Sequence, residues 1–214
     1  MSDATVKPLA EALFRIGAIR FGSFTLSSGR QSSYYVDLRL VPSHPRVYNL
    51  VLACYTSLLR RIGDAEFDVI AGVATAGVTI SSPLADRLQK PMLYVRADEK
   101  GHGLGKRVEG LAEPSSRVLI IDDVVTSGGS VSTAAAALEQ AGYKAKDCAV
   151  LIDRLEGGDA NLRAVGVRLN SFTNIRELAQ ELYTSKLLSK RGADAISLQT
   201  GSAESVLKEG TTSS

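Results

Sequence analysis

Short runs of consecutive apolar residues alternate along this chain with longer stretches in which apolar positions recur every third or fourth residue. Residues 10–16 read as a helix ending at Gly17, a residue suited to the left-handed position just past a helix. Residues 47–62 keep helical spacing and stop at Gly63. Residues 67–72 read as a strand, 78–88 as a helix that Pro83 breaks or kinks, and 91–95 as a second strand. Further strands are expected at 117–124, 148–152 and 165–169, with a helix at 130–141 that ends at Gly142. A last helix places Ile175, Leu178, Ala179 and Leu182 on one face. From about Gly201 the chain is Gly, Ser, Thr and charged residues without periodicity, which reads as a disordered tail over 201–214. There is no internal repeat. Strand and helix in alternation predict an α/β fold with a doubly wound, mainly parallel sheet, whose ligands bind at the carboxyl ends of the strands. On that reading Gly72, Asp98, Asp122 and Arg154 each follow a strand and converge on one edge.

Arg117–Ser130 carries the most chemistry. Val118, Leu119, Ile120 and Ile121 form a run apolar enough for a strand buried on both faces. It leads into Asp122 and Asp123, then Thr126, Ser127, Gly128, Gly129 and Ser130, then an alanine-rich helix. A glycine- and hydroxyl-rich turn opening a helix is built to cradle phosphate: the backbone comes close, its N–H groups converge, and the helix N-terminus favours an anion. Carboxylates repel phosphate, so the acidic pair fits sugar hydroxyls or a metal beside it. As a plain strand-to-helix connection the Ser, Thr and Gly residues are ordinary turn and cap residues, but that reading calls for no acidic pair at the end of a buried strand. Neither the P-loop pattern nor the dinucleotide-binding glycine pattern is present.

The motif resembles the phosphoribosyl pyrophosphate signature of type I phosphoribosyltransferases. Three more segments, 24–39, 96–103 and 153–158, resemble the orotate branch of that family, in the same order and over residues 14–182. The resemblance implies a type I phosphoribosyltransferase fold, one domain over 1–200, with a small hood from about 1–45 above a core from about 46–200. It implies transfer of ribose 5-phosphate from phosphoribosyl pyrophosphate to orotate in pyrimidine synthesis. Asp122 and Asp123 would contact the ribose hydroxyls, Thr126, Ser127, Gly128, Gly129 and Ser130 would bind the 5-phosphate, and Val124 and Val125 between them would belong to the same phosphoribosyl pyrophosphate site. Thr75 and Ala76 belong to the loop that would hold pyrophosphate through its backbone; Ala76 stands where some relatives have lysine. Arg96, Lys100 and His102 would meet the pyrophosphate, with Lys100, His102 and Asp123 as catalytic candidates. Thr126 and Arg154 would bind orotate, since a guanidinium fork suits its carboxylate; taken alone, Arg154 reads as a surface arginine paired with Glu156 or Asp153. Mg²⁺ would be held mainly through the substrate, with no direct metal ligand from the chain. The active unit would be a homodimer, its charged, glycine-laced loop closing as a lid over the neighbouring site. Two departures stand out: Ala97 and Ser27 occupy positions where many relatives carry a basic residue. Tyr34 and Tyr35 are expected to pack the hood rather than stack on the base.

Composition narrows the field further. The chain has 214 residues, 44% hydrophobic and 22% charged, which suits one globular domain. A net charge of +2 provides no footprint for nucleic acid. No apolar run is long enough for a membrane span, residues 1–13 lack the apolar stretch of a signal peptide, and Cys54 and Cys148 read as buried reduced thiols, so a cytoplasmic address is expected. Two rivals remain: a phosphoribosyltransferase for another base, and a regulator that only senses phosphoribosyl pyrophosphate.

Overall fold

The structure is a computed structural model that describes residues 5–25, 29, 31–97 and 107–210. Its centre is a six-stranded sheet built from β3 (Val69–Val73), β4 (Met92–Val95), β5 (Val108–Glu109), β6 (Arg117–Val125), β7 (Lys144–Asp153) and β8 (Arg168–Asn174), in the order β5-β4-β3-β6-β7-β8. Every pairing is parallel except that of β4 with β5. From β3 the chain steps outward to β4, then returns to the other side of β3 for β6. The strand order therefore reverses between β3 and β6, where doubly wound sheets open a ligand crevice. The expected fold class is the observed one.

Helices cover both faces of this sheet. Strand residues alternate between them: Ile70, Leu119, Ile121, Ala149 and Leu151 pack with α2 (Pro45–Ile62) and α3 (Ala76–Leu88). Ala71, Ile120, Cys148 and Val150 pack with α4 (Gly129–Gln140) and with Leu162 of α5 (Gly158–Ala164). Cys54 and Cys148 are both buried free thiols, and burial pushes each up to about 12. Pro83 neither breaks α3 nor leaves an orphaned group. It cannot donate to the Thr79 carbonyl one turn back, and the Tyr48 hydroxyl from α2 donates there instead.

A second, two-stranded sheet pairs β1 (Ile19–Thr25) with β2 (Gln31–Val36) and forms the hood together with α1 (Val6–Arg15). The hood has a C-terminal part that the N-terminal segment alone does not supply. Ile196 of α7 (Lys190–Gly210) is fully buried with Tyr34, Ile175 and Ala179, the last two from α6 (Ile175–Thr184). Gln199 Oε1 accepts from the Ser33 N–H at 2.9 Å and the Ser33 hydroxyl at 2.8 Å, which pins α7 to β2. Tyr34 is buried in this cluster, and Tyr35 packs against Phe24 and Arg20, both as hood residues.

Two expectations are corrected. The segment 165–169 does not form the last strand: Val165 is exposed at the end of α5, Gly166 turns the chain at φ +77°, and β8 begins only at Arg168. The apolar run there follows a helix terminus and a turn, and only Val167 is buried. The structureless tail from Gly201 is also revised, because α7 runs to Gly210; Ala, Glu, Leu and Lys in this stretch are good helix formers.

Candidate active site

The switch point between β3 and β6 is tight because two glycines allow it. A side chain at Gly72 would meet the Ser81 hydroxyl, and one at Gly77 would meet the Ile121 carbonyl. Gly72 and Val73 lie within β3, and Ala76 and Gly77 begin α3, so the expected pyrophosphate loop shrinks to Ala74 and Thr75, joined by a cis peptide. Thr75 is exposed, and the first turn of α3 stands against Ile121 and Asp122 of β6.

Asp122 and Asp123 lie inside β6, since that strand extends to Val125. Asp122 Oδ1 accepts from the Asp123 N–H at 3.0 Å, and Asp123 Oδ1 accepts from the Val124 N–H at 2.8 Å. The Tyr55 hydroxyl of α2 donates to the Asp122 carbonyl at 2.5 Å and fixes the backbone below the pair. Burial, and then the neighbouring Asp123 carboxylate, hold the Asp122 carboxyl well above the usual range. Asp123 is raised too, chiefly by burial, against the opposing effects of the Val124 N–H and the Arg39 cation.

A carboxyl raised by folding binds more protons in the native than in the unfolded chain. Its stabilising contribution is full below the unfolded value of about 4 and is lost as pH rises toward the native value. Ligand-free Asp122→Asn is therefore expected to melt at a higher temperature than the parent at pH 8, with the gain shrinking toward pH 4. A pH-independent difference in melting temperature would contradict this.

Past β6 the chain enters Thr126–Ser130. Ser127, Gly129 and Ser130 are exposed, while Gly128 is buried at φ +83°. The short helix α5, which the periodicity did not reveal, holds this loop. Asn161 Nδ2 donates to the Ser127 carbonyl at 2.9 Å, and Gly128 and Gly158 let the loop and α5 approach closely. Val125 accepts at its carbonyl from the Arg154 N–H at 3.0 Å, tying the ends of β6 and β7 together.

Strand β5 was also invisible in the sequence pattern, being only two residues long. It pairs antiparallel to β4, and the Arg96 N–H donates to the Arg107 carbonyl at 2.9 Å, which brings Arg96 and Arg107 together. Arg96, Ala97 and Arg107 line a cavity of about 250 Å³ with Ala74, Gly129, Ser130 and Thr133. Arg96 thus shares one opening with Gly129 and Ser130 of the glycine-rich loop and with Ala74. Asp98, Lys100 and His102 lie outside the described residues, as does Ser27.

Arg154 follows β7 directly and is buried, not a surface residue. It is paired with Glu156, Nη2 to Oε1 at 2.8 Å, whereas Asp153 accepts from the Leu155 N–H. The structure thus brings together the acidic pair, Thr75, Ala76, Arg96, Thr126–Ser130 and Arg154 along the carboxyl edge of the sheet. Sequence reasoning missed Tyr55, Asn161 and Thr133, none of which stands in a recognisable motif.

Comparison with known proteins agrees with this arrangement. The family described as phosphoribosyl transferase domain matches residues 44–180. An orotate phosphoribosyltransferase of Cenarchaeum symbiosum is 43% identical over 173 residues, 80% of this chain and 86% of the relative. The crystal structure of orotate phosphoribosyltransferase from Aeropyrum pernix superposes with a TM-score of 0.74 at 38% identity, covering 82% of this chain and 98% of that one. The structure of Leishmania donovani UMP synthase reaches a TM-score of 0.83 at 30% identity over 94% of this chain, which spans 43% of that larger protein. With its sheet reversing at β3 and β6 around an acidic pair and a glycine-rich loop, the chain belongs to the orotate phosphoribosyltransferases of the phosphoribosyl transferase family.

Proposed function

We propose that this chain transfers the 5-phosphoribosyl group from phosphoribosyl pyrophosphate to orotate, releasing pyrophosphate and forming orotidine 5′-monophosphate for pyrimidine synthesis. The observation that supports it most is the convergence of Asp122, Asp123 and the Thr126–Ser130 loop on the switch point of the sheet. In this reading the 5-phosphate docks on backbone N–H groups and hydroxyls of Thr126–Ser130, at the start of α4. Asp122 and Asp123 accept hydrogen bonds from the ribose hydroxyls and orient the sugar. Ala74, Thr75 and Ala76 face the pyrophosphate with backbone groups, and Arg96 adds a cation from the base of the lid.

The bond from the anomeric carbon to pyrophosphate oxygen breaks with its electron pair leaving on pyrophosphate. A ring nitrogen of orotate supplies the new pair and gives up its proton. Charge separates in the transition state, so catalysis requires positioning and electrostatic compensation rather than a covalent nucleophile. Lys100 and His102 supply that compensation at the leaving group, with His102 able to deliver a proton. The Asp122 and Asp123 carboxylates are hard oxygen groups that fit a nearby hydrated Mg²⁺, which would be held mainly through the substrate and would neutralise pyrophosphate charge. The active unit we infer is a cytoplasmic homodimer whose 98–106 segment reaches the neighbouring site.

The test is a spectrophotometric assay with orotate, phosphoribosyl pyrophosphate and Mg²⁺, run beside adenine, hypoxanthine and uracil. Turnover with orotate alone is expected. Turnover with another base would move the substrate assignment, and binding of phosphoribosyl pyrophosphate without turnover would make the chain a sensor.

A further inference from the structure

Arg154 is held by a network that reaches from the core into the hood. Its Nε stands 3.0 Å from Glu156 Oε1 and 3.3 Å from the Tyr34 hydroxyl, and its guanidinium carbon lies 4.8 Å from the centre of the Tyr34 ring. The Tyr34 hydroxyl donates to Glu156 Oε1 at 2.8 Å. These groups are deeply enclosed: Tyr34 is fully buried, and the side chains of Arg154 and Glu156 are 10% and 3% exposed. Burial raises the Tyr34 hydroxyl above its usual range, so it stays a donor.

The backbone is shaped to make this pair. Leu155 sits at φ +57°, an uncommon conformation for a branched residue, and the Asp153 carboxylate steadies it by accepting from the Leu155 N–H at 2.8 Å. Across that turn the side chains of residues 154 and 156 meet. A buried ion pair adds little net stability over apolar packing, so the stability of the fold does not account for it.

The pairing is also incomplete. Nη2 touches Glu156 Oε1 at 2.8 Å as a charge contact, yet its N–H groups have no aligned acceptor among the described residues. Nε and Nη2 together face one oxygen of Glu156, so the Nη2 corner of the fork, its outer edge, keeps donors to spare. A carboxylate oxygen is the acceptor that matches them.

We infer that Glu156, locked by the Tyr34 hydroxyl, is a specificity-determining positioning residue that holds the Arg154 fork so that its outer edge reads the carboxylate of the incoming pyrimidine. The inference rests on the assignment of Arg154 to orotate. A base lacking the carboxylate would leave those buried donors unpaired, which is how a polar site rejects an analogue strongly.

The experiment compares the parent with Tyr34→Phe, Glu156→Gln, Glu156→Ala and Arg154→Ala, measuring KM for orotate and for phosphoribosyl pyrophosphate separately, and the ratio of orotate to uracil turnover. Glu156→Ala is expected to raise the orotate KM by about tenfold or more, as loss of a charged hydrogen bond does, with the phosphoribosyl pyrophosphate KM within about twofold of the parent. Tyr34→Phe and Glu156→Gln keep the packing and are expected to raise the orotate KM by a few-fold while lowering the orotate-to-uracil ratio; they decide the matter if the alanine variant does not fold. An unchanged orotate KM in both, with a raised one in Arg154→Ala, overturns the positioning role and leaves Arg154 as the anchor. Equal rises in both KM values also overturn it, by showing general structural damage. An unchanged orotate KM in Arg154→Ala removes the assignment of Arg154 and this inference with it.

Discussion

Gly77→Ala is expected to lose about 3 kcal/mol or more of folding stability, the upper end of the cost of overpacking a filled core. An added methyl carbon would stand 2.3 Å from the Ile121 carbonyl oxygen and 3.3 Å from the Asp122 Cα. Both neighbours are backbone in a central strand paired on each side, so neither can rotate away. Relief requires α3 to move off β6, which opens the switch point and separates the Ala74–Ala76 turn from the acidic pair. Gly129→Ala is the control, because its nearest new contact is at 3.9 Å and its backbone needs no left-handed conformation. Urea unfolding of both variants measures the difference. Equal midpoints would mean that α3 does not approach β6 this closely.

Lys100→Ala and His102→Ala are each expected to lower kcat by roughly a hundred- to a thousandfold, the usual consequence of removing one preorganised group that meets developing charge. In the proposed reaction pyrophosphate gains charge as its bond to the sugar stretches, and Lys100 and His102 are the groups expected to compensate it. Initial rates at saturating orotate and phosphoribosyl pyrophosphate give the measurement. Parent-like kcat in both variants would remove leaving-group stabilisation from this segment.

The central sheet and the acidic pair were legible because their signals are local. Four adjacent apolar residues before Asp122 can be satisfied only by a strand buried on both faces, and the turn after it has the composition of a phosphate cradle. The elements that escaped are those with weak local signals. Helix α5 has seven residues with only Gly158 and Leu162 buried, too few to show a period, and β5 is defined by backbone pairing with β4. Arg154 and Glu156 were a visible pair, but their burial was not, since it depends on Tyr34, 120 residues away from Arg154. Val165–Val167–Leu169 imitated a strand because an exposed valine before the tight turn at Gly166 stands at the same spacing as a buried and a half-buried residue after it.

The bond from Ser33 to Gln199 joins residues 166 apart, and this separation has a consequence for synthesis. The β1–β2 hairpin leaves the ribosome early, yet Ile196, which closes over Tyr34, emerges only after the whole sheet has been made. At roughly 5–20 residues per second the hairpin waits on the order of ten seconds or more for its cover. During that interval Tyr34 has no α7 to bury it, so the enclosure of the Arg154–Glu156 pair is completed last, after the sheet that carries it.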